Sequence, residues 1–319
     1  MKLVESAITI SLAGTEVYAF GLFCMIGAAA AAMAVWALSR GYELEKGSAG
    51  VLTLMMLLGG YICSRLGFCL MNRSQGGMMP LASWFSITEG GWSLTGMILG
   101  ALAGSRIAAA ILRIPAKRTM DIAAGALPLM IAAVKYAEDK IPDFDISRPL
   151  EEGFLSGAGF LTITDKYGTY LATRRIGMAL AMILFLILVF TTIRKNREDG
   201  DQGILFLLFT GAGGILLESL RYDHFLEFSF VRLEMVIYAV MLVWGLILAV
   251  RRDRENRKGL RRAALIAGIL AIGIAGGVEF ALDRTSMSHV LLYVIMTAAL
   301  AVPVVLGCRL LSRKGTEVS

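Results

Sequence analysis

The chain is short of charge. Only 18% of its 319 residues are Asp, Glu, Lys or Arg, against about 25% in an ordinary soluble domain. That shortage excludes a conventional water-soluble globule. Histidine is scarcer still: His224 and His289 are the only two, too few and too separated for a credible metal site. No metal and no cofactor is expected. The four cysteines, Cys24, Cys63, Cys69 and Cys308, show no C-x-x-C spacing and each falls in an apolar stretch. They exclude a disulfide framework and read as small core or lipid-facing hydrophobes. A nucleotide loop is missing as well. Gly211-Ala212-Gly213-Gly214 has neither a preceding strand nor a phosphate-binding lysine, so close helix packing explains it better.

What the chain has is apolar length. Hydrophobic residues make up 57% of it, with a mean hydropathy of +0.70. Nine apolar runs stand out, at about 17–38, 49–71, 93–112, 119–137, 176–193, 203–220, 232–250, 262–281 and 289–311. Each approaches the roughly 20 residues that cross a hydrocarbon core as a helix. The expected fold is therefore all-α, a polytopic transmembrane helix bundle. The fourth and sixth runs are the least continuous, broken by Pro128 and by the Gly211 to Gly214 string.

The net charge of +6 and the pI near 9.2 do not point to nucleic acid. The excess sits in short loops: Arg194, Lys195 and Arg197; the seven basic residues from Arg251 to Arg262; Arg309, Arg313 and Lys314; and Arg113, Lys117 and Arg118. With alternating helices these lie on one side, and the positive-inside rule makes that side cytoplasmic. The expected topology is N-terminus outside and C-terminus inside. Residues 1–15 have little signal-peptide character, so no cleaved leader is expected.

This topology gives each polar residue a depth. Arg65 lies in the outer third of the second run, inside an otherwise apolar stretch. A charge at a helix centre costs about 2.5–3.5 kcal/mol on insertion scales, so it normally faces protein or a polar cavity. Lys135 and Glu138 end the fourth run on the same side, Glu218 and Arg221 the sixth, and Thr95 opens the third there. These groups are expected to meet near the outer surface. Glu234 and Glu279, closer to helix ends, are expected to snorkel to the interface. Arg106 is open between an interior role and snorkelling to the cytoplasmic face. Two outer loops exceed simple turns. Residues 72–92 carry Trp84, Phe85 and Trp92, suited to the headgroup layer. Residues 138–175 are long enough for an external cap over the charged groups. A charged pocket near the outer leaflet suits a phospholipid headgroup, with arginine on the phosphate and a carboxylate on a hydroxyl or a proton.

Several strings together resemble bacterial prolipoprotein diacylglyceryl transferases. Val17-Tyr18-Ala19-Phe20-Gly21-Leu22 is similar to the family's opening aromatic-Gly-Leu helix. Gly60-Tyr61-Ile62-Cys63-Ser64-Arg65-Leu66-Gly67 resembles its Gly-x-x-x-x-Arg-Leu-Gly element. Gly90-Gly91-Trp92-Ser93-Leu94-Thr95-Gly96 is similar to its Gly-Gly-x-Ser-x-His-Gly-Gly segment, and Glu218-Ser219-Leu220-Arg221 to its Glu-Phe-x-Arg. The resemblance covers about residues 14–250 and implies a seven-helix core, 1–250, with residues 251–319 adding a basic loop and two helices. It also implies the activity: transfer of diacylglycerol from phosphatidylglycerol to the lipobox cysteine of a prolipoprotein, in a bacterial inner membrane.

The departures fall where the family does its work. Thr95 stands at its histidine. Its Gly-Arg-x-Gly-Asn signature reads Val134-Lys135-Tyr136-Ala137-Glu138, and its later glutamate falls on Asp143. Gly214 replaces an arginine, and Phe20 the early tyrosine, with Tyr18 close by. Threonine is no base near neutral pH, and lysine keeps the charge but loses arginine's planar two-point grip. By resemblance, the phosphate-binding candidates are Arg65, Lys135 and Arg221, with Tyr18, Phe20 and Gly96 also lining the substrate. The catalytic candidates are Glu218, Asp143, Glu138 and Thr95. A repurposed relative that binds lipid or a lipoprotein precursor without turnover is the competing reading. A transporter fits less well, because the charges gather at one side and no internal repeat is visible.

Overall fold

The computed structural model describes residues 9–12, 15–71, 91–140, 147, 159–165, 168–193, 198–221, 227–228, 231–253, 255–285 and 287–312. Among the described residues, nine helices are long and apolar enough to cross a membrane, as the nine runs predict. They are α1 (Ala19–Gly41), α2 (Ser48–Met71), α3 (Leu94–Leu112), α4 (Ala116–Glu138), α5 (Thr173–Ile193), α6 (Asp201–Leu220), α7 (Leu233–Arg252), α8 (Lys258–Arg284) and α9 (His289–Leu311). The protein is a polytopic all-α bundle. Among the described residues the strands form three short antiparallel hairpins: β1 (Thr9–Leu12) with β2 (Thr15–Tyr18), β3 (Thr162–Asp165) with β4 (Gly168–Leu171), and β5 (Glu227–Phe228) with β6 (Val231–Arg232). The second hairpin occupies part of the segment expected to form an outer cap.

The chain divides into two compact units: Met1–Ile193 with Leu220–Phe225, and Arg194–Ser219 with Leu226–Ser319. Packing thus groups most of α6, and α7, with the two C-terminal helices, whereas the expected boundary near residue 250 follows the family resemblance.

In the first unit, α2 and α3 are joined by a glycine seam. A Cβ on Gly100 would lie 2.1 Å from the Gly59 carbonyl oxygen, and one on Gly104 2.1 Å from that of Met55. On Gly96 it would lie 2.4 Å from the Cys63 oxygen. Partner numbers rise along α2 as they fall along α3, so the helices are antiparallel. Their closeness needs small residues, as is usual where apolar lipid offers no driving force for association. α1 meets α4 in the same antiparallel sense, with Gly27 against Ala133 and Gly125 against Leu38. In the second unit α6 packs on α7 through Gly211 against Leu242 and Gly214 against the Tyr238 ring. The glycine string is therefore a packing surface, as the sequence suggests, although Gly213 faces open space.

The two least continuous apolar runs are the two most enclosed helices. The spanning windows of α4 and α6 are each 72% buried, whereas that of α1 is 11% buried. Pro128, Gly211 and Gly214 are buried against protein, which is where such interruptions are tolerated.

Candidate functional site

Antiparallel packing brings one end of the first unit together: the ends of α2 and α4 and the starts of α3 and α5. Arg65 is buried there, at 3% exposure, on the sixth residue before the end of α2. Its Nη1 donates to the Gly91 carbonyl at 2.9 Å, and its guanidinium carbon lies 5.8 Å from the centre of the Phe68 ring. Gly91 has φ +81°, and a Cβ on it would meet Phe68 at 2.1 Å, so only glycine fits this turn. Ser93 then caps α3: its Oγ accepts from the Gly96 amide at 3.1 Å. Ser64 ties the cap to α2, donating to the Ser93 carbonyl at 2.8 Å while Ser93 N donates to the Ser64 carbonyl at 3.1 Å. Arg65 is thus presented at a braced helix junction. Thr95, fully buried, shares a 2.8 Å hydroxyl contact with Ser93. Gly96 lies in the α2–α3 seam, where its lack of a side chain permits the approach to Cys63.

A second polar group closes the end of α4. Lys135 is buried and its Nζ lies 2.9 Å from Glu138 Oε2, one helical turn away. The first turn of α5 packs against it. Arg174 donates to the Glu138 carbonyl. Arg175 Nε spans both Asp139 oxygens at 3.1 and 3.2 Å, and its Nη1 donates to the Gly159 carbonyl at 3.0 Å. Sequence reasoning missed Arg174, Arg175 and Asp139. An Arg–Arg pair just ahead of an apolar run looks like an ordinary interfacial anchor, and the run was expected to begin at 176. The helix begins at Thr173, which draws both arginines into contact with α4.

The remaining candidates separate. Arg221 pairs by backbone with Ser147 in an isolated antiparallel bridge. Tyr18 precedes α1 and is 49% exposed, and Phe20 is half-buried. Asp143, Trp84, Phe85, His224, residues 194–197, Arg254, Arg313 and Lys314 lie outside the described residues, as does most of the expected cap. Trp92 is exposed and tilts against Tyr61 at 5.0 Å. Arg106 is exposed on α3, which favours the snorkelling alternative.

Glu218 belongs to the second unit, where it is buried near the end of α6. Beside it, Tyr293 of α9 donates to the Ser219 carbonyl at 3.1 Å. Glu279 corrects an expectation: it is buried at 7% exposure rather than snorkelled. The cause is helix length. α8 runs to Arg284, so Glu279 lies about 7.5 Å short of its end. Glu234, in the first turn of α7, is half-buried as expected, where the helix dipole favours a carboxylate. Arg232 just before it is buried too, which its place at a run's edge did not reveal.

The opposite end of the second unit carries a closed ion network. Asp253 Oδ1 accepts from Arg257 Nε at 2.9 Å, and Oδ2 from Arg261 Nε at 2.8 Å and from the Arg257 amide at 2.8 Å. Burial works against ionisation of Asp253, but the hydrogen bonds from Arg261 and Arg257 outweigh it and hold the carboxyl below its ordinary range. Arg257 Nη2 also caps α9 at the Leu310 carbonyl, 2.9 Å away. Arg252 reaches Asp201 at 3.1 Å and the Asp199 carbonyl at 2.8 Å.

Fold and charge placement define a multi-pass helical membrane protein with a buried cationic end in its first unit. Residues 7–137, the segment that holds Arg65 and Lys135, match the family model of prolipoprotein diacylglyceryl transferase. Over that segment the chain is similar to the family. It is 22% identical over 257 residues to the phosphatidylglycerol–prolipoprotein diacylglyceryl transferase of Clostridium novyi (strain NT), covering 78% of this chain and 96% of that protein. It is 25% identical over 181 residues to the enzyme of the same name from Symbiobacterium thermophilum, covering 53% of this chain and 65% of the relative.

Proposed function

We propose that the chain transfers diacylglyceryl from phosphatidylglycerol to the lipobox cysteine thiol of a prolipoprotein, in a bacterial plasma membrane, with the N-terminus outside and the C-terminus cytoplasmic. In this reading residues 1–250 are the transferase-like core and α8 and α9 are additions to it. The thiolate attacks the glyceryl carbon that bears the phosphate ester. An S–C bond forms, the C–O bond breaks, and glycerol phosphate leaves while the thiol proton passes to a base. The phosphate goes from one negative charge to two as it departs, so fixed cations stabilise the transition state more than the ground state. Arg65 and Lys135 are assigned that role, with Arg221 assigned by its place in the Glu-x-x-Arg string. Glu138, already beside Lys135, is the assigned proton acceptor in the first unit. Glu218 and Asp143 are assigned proton transfer or glycerol orientation on sequence grounds, and Thr95 lines the substrate path without acting as a base.

The observation that carries this reading is a buried arginine on a braced junction inside the segment that matches the family. A second reading, a lipid- or lipoprotein-binding relative without turnover, draws on two features of the same end. Thr95 is hydrogen-bonded to Ser93, and the charge of Lys135 is offset by Glu138, where the family signature has an uncharged asparagine. The test is growth of a bacterium depleted of its own diacylglyceryl transferase, with lipoprotein modification read by gel shift. Rescue with a lipidated product is the expected result. A folded, membrane-inserted chain that retains phosphatidylglycerol without producing lipidated protein overturns the transferase reading in favour of the second.

A further inference from the structure

A cavity of about 220 Å³ opens where the end of α4 meets the start of α5. Lys135, Asp139, Lys140 and Arg175 supply its charged lining, and Tyr136 and Phe160 an aromatic part. Counting Arg174 and Glu138 just behind, four cations face two carboxylates among the described residues. The surplus is positive. The donors are also incompletely used. Arg175 spends Nε on Asp139 and Nη1 on Gly159, which leaves Nη2 without a hydrogen-bond partner among the described residues. Lys140 lies 3.6 Å from Asp139 and 4.9 Å from the Tyr136 ring centre, a loose arrangement for an ammonium with three protons. Arg175 is 31% exposed at its side chain and Lys140 38%, so a ligand reaches both.

We infer that this cavity is a phosphate-ester site in which Arg175 supplies the planar donor that Lys135, standing at the family's arginine, does not. Asp139 acts as its positioning residue. Two contacts on Nε fix the guanidinium plane, so Nη2 is presented at little entropic cost, the advantage of a preorganised fork over a flexible lysine. A positive surplus matches the anion, and charge-assisted contacts from guanidinium are the strong kind. Tyr136, in the last turn of α4, is a ring of the amphipathic kind that settles at headgroup depth. The volume is below the usual range of about 300–1,000 Å³ for whole small-molecule ligands, and so takes a headgroup rather than an acyl chain. The inference deepens the transferase reading, on which the choice of phosphatidylglycerol rests.

The test reads binding rather than turnover. Full-length chain, delipidated in detergent, is titrated by native mass spectrometry with phosphatidylglycerol and, separately, with glycerol phosphate. Arg175→Ala is expected to weaken phosphatidylglycerol binding about tenfold. Asp139→Asn, which loosens the guanidinium but removes a competing negative charge, is expected to weaken binding less than Arg175→Ala does. Arg106→Ala, an exposed cation elsewhere, serves as the control and is expected to change nothing. Equal weakening by Arg175→Ala and Asp139→Asn would show that the pair is only a brace between α4 and α5, and overturns the inference. Unchanged binding in Arg175→Ala overturns it too. If Arg175→Ala does not fold, Arg175→Lys keeps a charge opposite Asp139 but lacks the fork. A several-fold loss then supports the site and no loss overturns it. Arg175-dependent binding of glycerol phosphate identifies a site for the free ester; dependence seen only with lipid identifies a headgroup site. A chain that binds through Arg175 yet fails to lipidate proteins keeps this inference and loses the transferase.

Discussion

The two units treat ionised groups differently. At the Asp253 end of the second unit the arginines that reach Asp253 are engaged: one fully buried carboxylate takes bonds from Arg257 and Arg261, and Arg257 goes on to cap α9. Among the described residues, the α4–α5 end of the first unit has more cations than carboxylates, partly exposed Arg175 and Lys140 side chains, and a cavity beside them. Saturated networks hold helices in place, and leave nothing to offer a ligand. An unsaturated one keeps charge in reserve at the cost of some self-repulsion, which a bound anion relieves. Ion pairs alone therefore do not mark a site; the unsatisfied remainder does.

The largest break in this comparison is expected from Arg65→Ala. In the depletion strain, lipidated product should fall at least about a hundredfold, the scale seen when a positioned transition-state donor is removed, with the protein still present in the membrane. Wild-type lipidation in that variant would remove Arg65 from the chemistry. Next in size, Asp253→Asn should cost stability, about 2 kcal/mol for charge-assisted bonds lost from a buried acceptor, while phosphatidylglycerol binding stays unchanged. Detergent unfolding curves give the first quantity and native mass spectrometry the second. The folded pKa of Asp253 lies below its unfolded value. Its contribution is therefore complete above about pH 4 and lost as acid protonates the folded carboxylate. Asp253→Asn should flatten the acid limb of the stability curve, and an unaltered limb would show that other carboxylates govern it.

Smaller effects sharpen the comparison at glycines. Gly100→Ala drives a methyl into the Gly59 carbonyl, with only 2.1 Å available. A loss of about 1–3 kcal/mol is expected from overpacking, read as a lowered unfolding midpoint. Gly213→Ala meets nothing within 4 Å and should be neutral or stabilising by up to about 1 kcal/mol through helix propensity. Equal destabilisation at both positions would contradict the glycine seam as the specific contact between α2 and α3.

Much of the fold was legible because crossing a membrane imposes a simple rule: each helix satisfies its own backbone and shows apolar side chains to lipid. That rule found the nine spans seen among the described residues, with Arg65 as a charge needing protein around it. It misjudged enclosure. Pro128 and the Gly211–Gly214 string looked like weaknesses in spanning helices, whereas they belong to the two helices with least lipid exposure. Glu279 looked terminal because the apolar run stops at Ala281, yet the helix continues to Arg284.

The sequence by itself determined the membrane class, the spans seen among the described residues, the family resemblance and the placing of cations near one end, since these follow from hydropathy, charge and short strings of residues. Tertiary structure alone decided which charges meet. Arg175 reaches Asp139 across 36 positions, and Gly100 sits against Gly59 because two antiparallel helices happen to share that register. Hydropathy along a chain contains no term for a partner helix; the partner's distance and direction decide whether an arginine anchors, braces or binds.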